Sequence, residues 1–288
     1  DANASTTPRI TAATQSSGLC TIQTAPSLSV LSVTESYVSV SPGQGGLTVE
    51  VAVQNSGQAG AYIDAASLSH TLAGHSEQLV SPALPYLLSG GTTATLTFHV
   101  AVDLAAAVSP PANTISGSVA AYDANDPSSR LSASGGTPGS WNVLQYQGLL
   151  SPSSSYVPEQ YAYTQGQRVY ARFDLGAPSG TKMRIYVTGP SAISPSLTQD
   201  AGQYRAFDFS TTGATVGDWS VELWTVTGGG AQTTMVGRLY FRLTYPGQIT
   251  GVLTLSPDPA EVGATLTAQL TVSNPVADSS TISTTTPT

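Results

Sequence analysis

Charged residues are scarce in this sequence. Asp, Glu, Lys and Arg together make up 9% of the 288 residues, against about 25% in an average soluble protein. Nine Lys and Arg against 17 Asp and Glu give a formal net charge of −8. Because phosphate backbones and anionic membranes are bound by clustered basic groups, we expect no nucleic acid partner. Since no apolar run is long enough to cross a bilayer, we also expect no membrane insertion.

The sequence has a single cysteine, Cys20, so no disulfide can form within the chain. Cys20 is either a small buried residue or the site of an intermolecular bridge. The 28 glycines and 19 prolines interrupt the chain throughout and exclude long helices. The Ser/Thr-rich, Lys-poor composition resembles that of exported surface proteins of bacteria and archaea. We therefore expect an extracellular or cell-surface location, with any leader removed before Asp1.

Alternation of apolar and polar residues with a period of two is the main structural signal. Each run is short and ends at Gly, Pro, Asn or Ser, which is typical of strands with one buried and one solvated face. The sequence therefore predicts an all-β fold of tandem immunoglobulin-like β-sandwiches. The alternating apolar positions are Leu47, Val49, Val51, Val53; Ala94, Leu96, Phe98, Val100, Val102; Val169, Ala171, Phe173, Leu175; Met183, Ile185, Val187; Trp219, Val221, Leu223; and Leu239, Phe241, Leu243.

Four regions follow from the spacing of these runs. Residues 1–26 form an extended Ser/Thr-rich segment, residues 27–146 and 147–246 each form a sandwich, and residues 247–288 form a partial unit. The stretches 109–112 and 134–140 of the first sandwich have linker-like composition. The partial unit contains LTAQLTVSN from Leu266, which echoes LTVEVAVQN from Leu47, so it corresponds to the first strands of another sandwich. Two strands cannot bury a core alone.

Two sequence stretches resemble known modules. The stretches VSPGQGGLTVEVAVQNSGQAGA from Val40 and LLSGGTTATLTFHV from Leu87 resemble the bacterial CARDB-type adhesion module, which implies an immunoglobulin-like fold. In the second sandwich, DAGQY from Asp200 to Tyr204 has the D-x-G-x-Y spacing of the immunoglobulin tyrosine corner. The resemblance implies a structural role for Tyr204. Trp219, which is in phase with its aliphatic neighbours, is predicted to be a core residue.

No catalytic constellation is evident, so we expect a protein that is not an enzyme and needs no cofactor. His70 and His75 flank Gly74 at a predicted hairpin, and with Glu77 they form at most a weak zinc signal. His99 is predicted to face solvent. One oxygen-rich loop, Asp123, Asn125 and Asp126, is a weak calcium candidate. The alternative is that these residues simply form a turn that Pro127 closes.

Two surface features suggest contact with carbohydrate. Tyr146, Tyr156, Tyr161 and Tyr163 cluster between the predicted sandwiches, either as a sugar-binding strip or by packing the linker against the second sandwich. Asn3 begins an Asn-Ala-Ser sequon and is a candidate N-glycosylation site.

The leading functional hypothesis is a structural subunit of an extracellular filament or surface layer. The alternatives are a cell-surface adhesin or carbohydrate-binding module, or the non-catalytic β-region of a larger secreted protein. Other copies of the chain are the expected partner, with surface glycans or other surface proteins as alternatives. Subunits would join head to tail when the N-terminal segment of one chain adds a strand to the partial unit of the next. The residues predicted at this joint are Ile10, Leu19, Cys20, Ile22, Leu266, Leu270 and Val272.

Overall fold

The computed structural model describes residues 23–176, 182–191, 197–199, 204–228, 230–246, 250–256 and 267–273. For residues 197–199, 204–205, 250–256 and 267–273 it describes the backbone alone.

The first sandwich is one nine-stranded sheet that folds over on itself. Its strands pair in the order β5-β7-β3-β1-β9-β8-β4-β6, and β2 adds to β9. The strands are β1 (Leu28–Glu35), β2 (Ser39–Val40), β3 (Leu47–Asn55), β4 (Ala61–His70), β5 (His75–Ser81), β6 (Tyr86–Leu88), β7 (Thr93–Val102), β8 (Asn113–Asp123) and β9 (Arg130–Val143).

The core of the first sandwich forms where β3 and β7 face β4 and β8. Val49 and Phe98 come from the first pair of strands, and Ile63 and Ile115 come from the second pair; all four belong to one buried cluster. Trp141 of β9 is 1% exposed and belongs to the same cluster. The alternation of the sequence thus places every second side chain between the two layers.

The second sandwich has two separate sheets, of three and five strands. Their strand orders are β10-β12-β15 and β11-β17-β16-β13-β14. The strands are β10 (Gln147–Ser151), β11 (Ala162–Thr164), β12 (Arg168–Asp174), β13 (Met183–Thr188), β14 (Leu197–Gln199), β15 (Tyr204–Ser210), β16 (Gly217–Val226) and β17 (Gln232–Thr244). Phe173, Ile185, Trp219 and Phe241 are at the centre of its core.

A two-stranded antiparallel ladder follows, formed by β18 (Thr250–Ser256) and β19 (Thr267–Ser273). Every regular element of the described ranges is a strand, and they contain no helix long and apolar enough to cross a membrane. The prediction of an all-β fold with two successive sandwiches is confirmed.

One stretch predicted to be linker-like belongs instead to a long strand. Residues 134–140 lie within β9, which pairs with β8 and approaches β1 at Thr137. A side chain at Gly136, where φ is +76°, would lie 2.5 Å from the backbone oxygen of Val30. The glycines therefore let the backbone of β9 approach that of β1 while β9 remains a continuous strand. Composition alone does not distinguish such a strand from a loop.

The end of the predicted N-terminal segment contacts its own sandwich. The backbone N–H of Thr24 donates to the side-chain oxygen of Gln58 at 3.0 Å, and the N–H of Ala59 donates to the Thr24 carbonyl at 2.9 Å. Pro26 is buried beside Gly57. Any strand donation between chains would therefore have to use residues before Thr24.

Candidate functional site

The two sandwiches meet along one edge of β17. This strand pairs with β16 along its other edge and with β11 over Arg242–Thr244. Alternate residues of β17 from Val236 to Arg242 form hydrogen bonds through their backbone groups along this edge. Their partners lie in the first sandwich, in the residues that follow it, or in the segment before β11. The contacts are Tyr146 N to Val236 O, Ser41 N to Arg238 O, Arg238 N to Ser41 Oγ, Tyr240 N to Gln44 Oε1, Gln44 Nε2 to Tyr240 O, and Arg242 N to Tyr161 O.

Gln44 is the central residue of this junction. Its side chain is 1% exposed. Its Oε1 accepts from the backbone N–H of Tyr240 at 2.7 Å, and its Nε2 donates to the Tyr240 carbonyl at 3.1 Å. The primary amide thus forms the pair of bonds that an opposing strand residue would form. It satisfies two backbone groups at an edge that would otherwise expose them.

Tyr161 closes the junction from the segment before β11. Its hydroxyl donates to the Gly43 carbonyl at 2.5 Å, and its ring lies against Gly45. A side chain at position 45 would lie 2.8 Å from that ring. Burial raises the pKa of Tyr161, and the nearby Glu159 carboxylate acts in the same direction. The hydroxyl therefore remains a donor at neutral pH.

A buried polar cluster lies on the outer face of β16 and β17. Glu222 is 6% exposed. Its carboxylate accepts from Arg238 Nη2 at 2.5 Å, Trp224 Nε1 at 2.9 Å and Ser220 Oγ at 3.1 Å. The Arg238 guanidinium lies 5.2 Å from the ring centre of Tyr240. With three donors the buried carboxylate is well compensated, so the cluster orders the outer face next to the junction.

A cleft of about 640 Å³ opens beside Gln44, between the sandwiches. Tyr37 of the first sandwich and Tyr240 of the second meet edge to face, with ring centres 4.8 Å apart. The Tyr37 hydroxyl accepts from the backbone N–H of Thr48 at 3.2 Å. Asp218 and Arg242, 77% and 68% exposed, form an ion pair at 3.6 Å on the opposite side. Since both sandwiches supply lining residues, the cleft depends on their docking.

The tyrosines predicted at the junction have different roles. Tyr163 is 1% exposed and lies in the core of the second sandwich. Tyr146 is half-buried against the same core, and the ring of Tyr156 lies 4.8 Å from the Arg172 guanidinium. Tyr161 alone of these four lines the cleft. A sugar-binding strip made of these four side chains is therefore wrong, because Tyr163 faces inward from β11.

His70 and His75 stack on each other, but the predicted hairpin is wrong, because β4 pairs with β6 and β8 whereas β5 pairs with β7. The ring centres of His70 and His75 are 4.4 Å apart and the rings are nearly parallel. The side-chain nitrogen of Asn113 lies 2.9 Å from His70 Nδ1 and 3.3 Å from His75 Nε2. One ring nitrogen of each histidine therefore faces the Asn113 amide. Glu77, the third residue of the predicted zinc signal, is exposed on β5. Within the described ranges no group of three or more His, Cys, Asp or Glu residues is placed to hold a metal ion.

The histidine pair predicts a loss of stability in mild acid. Burial, and then the charge of His75, lower the pKa of His70 to about 4, and burial lowers the pKa of His75. The unfolded chain, in which the pKa is about 6.5, binds more protons between pH 6.5 and 4. Stability from this pair is therefore complete above pH 6.5 and is lost as the pH falls towards 4. We expect the pair to contribute about 1–2 kcal/mol to the free energy of unfolding above pH 6.5. This figure is reduced because the rings are partly exposed.

Urea denaturation at pH 7 and pH 4.5 measures this effect. In His70→Phe the difference in unfolding free energy between the two pH values should shrink, whereas in His99→Phe, which changes an exposed histidine, it should match the parent. An equal pH dependence in all three proteins would contradict the assignment.

The oxygen-rich loop uses its carboxylates to form its own turn. Asp123 Oδ1 accepts from the backbone N–H of Asn125 at 2.8 Å. Asp126 Oδ1 accepts from the N–H of Ser128 at 3.1 Å and from its hydroxyl at 2.6 Å. These are the local bonds of Asx turns, which favours the turn interpretation over a calcium site.

We therefore expect calcium to have little effect on stability. A ligand that binds only the folded state raises the melting temperature. Thermal melts in calcium chloride and in EDTA should coincide. A rise in melting temperature that requires calcium and disappears in Asp126→Ala would show that the loop is a site.

The remaining predicted site residues differ in how far the structure describes them: one with its side chain, some as backbone alone, and others not at all. Trp219 is 1% exposed, and its Nε1 donates to the Thr215 carbonyl at 2.9 Å. Tyr204 begins β15, without a described side chain. Leu270 and Val272 lie on β19 opposite Leu253 and Gly251. The predictions for Asn3, Ile10, Leu19, Cys20, Ile22 and Leu266 lie outside the described residues.

Sequence reasoning missed Gln44, Tyr37, Tyr240 and Glu222. The available signal was the run Gly43-Gln44-Gly45-Gly46, where an amide is surrounded by residues without side chains. Such a run allows close approach by another segment. The partner segment, 196 residues away at Tyr240, has no local mark in the sequence.

Comparison with known proteins gives weak similarities. No family model and no curated protein sequence matches the chain. Among solved structures, the secreted serine protease VesC from Vibrio cholerae is 9% identical, with a TM-score of 0.25 over 74% of this chain and 50% of the protease. The D0-D1 domain of intimin is 11% identical, with a TM-score of 0.24 over 75% and 97% of the two chains. The CupB6 tip adhesin from Pseudomonas aeruginosa is 8% identical, with a TM-score of 0.23 over 78% and 100%.

Proposed function

We propose that this protein is a non-catalytic structural subunit of an extracellular filament or surface layer. The observation that carries the proposal is the junction in which Gln44 and Ser41 complete the edge of β17. Domains within a chain usually move relative to one another unless their interface is extensive. Here backbone groups of one sandwich bond directly to the other, so the pair is a stiff unit. A stiff repeating unit suits a load-bearing assembly.

The β18–β19 ladder supports assembly between copies. Within the described residues these two strands pair only with each other. A two-stranded sheet is marginally stable alone and leaves unpaired backbone groups at both edges. A strand from a neighbouring copy would satisfy one edge through main-chain hydrogen bonds, as in donor-strand complementation. Such a head-to-tail contact does not close on itself and therefore extends into a filament.

Residues 1–22 are the proposed donor. Ile10, Leu19 and Ile22 supply apolar side chains, and Cys20 would lie in or near the donated strand. Thr24 and Pro26 are anchored to their own first sandwich. The donor would therefore leave the subunit from a fixed point.

Deletion of residues 1–22 tests the proposal. Negative-stain electron microscopy and sedimentation should show fibres for the full chain and single subunits for the deletion variant. The variant keeps Thr24–Ser27, so its melting temperature should match that of the full chain. Equal assembly of both proteins would contradict strand donation by this segment, and a full chain that stays monomeric at high concentration would contradict the filament proposal.

A further inference from the structure

The cleft at the junction has the dimensions of a binding site. Its volume of about 640 Å³ falls within the range of about 300–1,000 Å³ that is typical of small-molecule sites, which often form between domains. The hydrogen bonds of Gln44 and Tyr161 fix the walls before any ligand enters. A preformed site avoids the entropic cost of ordering its walls on binding.

The charges of the lining exclude strongly charged ligands. Asp218 and Arg242 pair with each other at 3.6 Å, so their formal charges cancel. The remaining ionisable side chains of the lining are His99 and three tyrosines. Selecting a phosphate or a polyanion requires a cluster of cations, which this lining does not provide.

The polar part of the lining also argues against a lipid chain. Ser36 and Thr48 bring hydroxyl groups, and the Asp218–Arg242 pair is largely exposed. A hydrocarbon chain would cover these groups without replacing their hydrogen bonds to water, at a cost in free energy. The lining therefore favours a ligand that is itself rich in hydrogen-bonding groups.

Tyr37 and Tyr240 favour a ligand that also has an apolar face. Both side chains are partly buried and reach the cleft, one from each sandwich. The face of an aromatic ring carries partial negative charge and attracts C–H groups. A pyranose ring combines C–H groups on one face with hydroxyls around its rim. We propose that the junction cleft binds an uncharged oligosaccharide, with Tyr37 and Tyr240 against its C–H faces and Asp218 and Arg242 bound to its hydroxyls.

This binding activity goes beyond the proposed structural role and is independent of assembly. A subunit that binds glycan at a rigid junction would hold it in a fixed position along the chain. Specificity would arise from the planar carboxylate and guanidinium groups, which fix the direction of the hydrogen bonds they form.

Isothermal titration of the full chain tests the proposal. The probes are cellohexaose, maltohexaose, xylohexaose and hexa-N-acetylchitohexaose, with hexagalacturonate as the acidic comparison. At least one neutral probe should bind, and Asp218→Ala and Arg242→Ala should each weaken its binding about tenfold or more. The matched controls are Asp64→Ala and Arg130→Ala, which break an exposed pair of the same residue types on the first sandwich. Both controls should bind like the parent.

Each contrary result overturns the proposal. If no neutral probe binds, the cleft is not a site for uncharged oligosaccharides. If the cleft variants bind as tightly as the controls, the saccharide binds elsewhere. If hexagalacturonate binds more tightly than every neutral probe, the selection against charged ligands is wrong. Because all four substitutions are at partly or largely exposed side chains, unchanged melting temperatures will show that the fold is retained.

Discussion

Replacement of Trp219 by alanine is expected to lower the free energy of unfolding of the second sandwich by about 3–5 kcal/mol. The side chain is 1% exposed and packs near Phe241, with ring centres 6.3 Å apart. A side chain at Gly189 would lie 2.1 Å from the indole, so backbone packs directly on the ring. Because rigid backbone cannot collapse into the space, the substitution leaves a cavity. Urea denaturation followed by circular dichroism measures the loss.

Trp224 provides the matched control on the same strand. It lies on the opposite face of β16, is partly exposed, and donates its Nε1 hydrogen to Glu222. Trp224→Ala should cost about 1–2 kcal/mol, since it removes one hydrogen bond and part of a packed surface. Equal losses for the two substitutions would mean that Trp219 does not have the core role that its burial indicates.

The strands could be predicted from the sequence because burial on one face leaves a local record. Val49, Val51 and Val53 alternate with polar residues along β3, and the structure buries that series. The same holds for Trp219 and Val221 on β16. Each pattern depends only on neighbours within the strand, so one sequence is sufficient to find it.

The docking face could not be predicted in this way. Ser220 and Glu222 occupy the positions of β16 that alternation assigns to solvent, yet both are buried. The reason is tertiary: β17 brings Arg238 over Glu222, and Tyr37 of the first sandwich packs against Tyr240 nearby. A polar residue under a second layer has the same local sequence pattern as one in water. The cleft, which is built on this face, was missed for the same reason.

Substitution of Gln44 is expected to uncouple the two sandwiches. Gln44→Ala removes both bonds to Tyr240 and leaves its backbone N–H and C=O without these partners, beside a position that is 1% exposed in the parent. Each unsatisfied buried group costs about 1–3 kcal/mol, so for two groups we expect a loss of about 2–6 kcal/mol in the docking free energy. Differential scanning calorimetry should show one transition for the parent protein. The variant should show two, because sandwiches that no longer stabilise each other unfold separately.

Gln44→Glu separates the hydrogen-bond argument from a packing argument, since the two side chains have nearly the same size. The carboxylate can still accept from the Tyr240 N–H, but it has no hydrogen to donate to the Tyr240 carbonyl, and it places a charge at a position that is 1% exposed in the parent. We therefore expect Gln44→Glu to uncouple the sandwiches at least as strongly as Gln44→Ala at pH 7. Gln78→Ala, at an exposed position on the edge strand β5, should change the unfolding free energy by about 0.5 kcal/mol or less. If Gln44→Glu retains a single transition at the parent temperature, the amide does not act as a strand partner, and the stiffness inferred for the junction must come from packing alone.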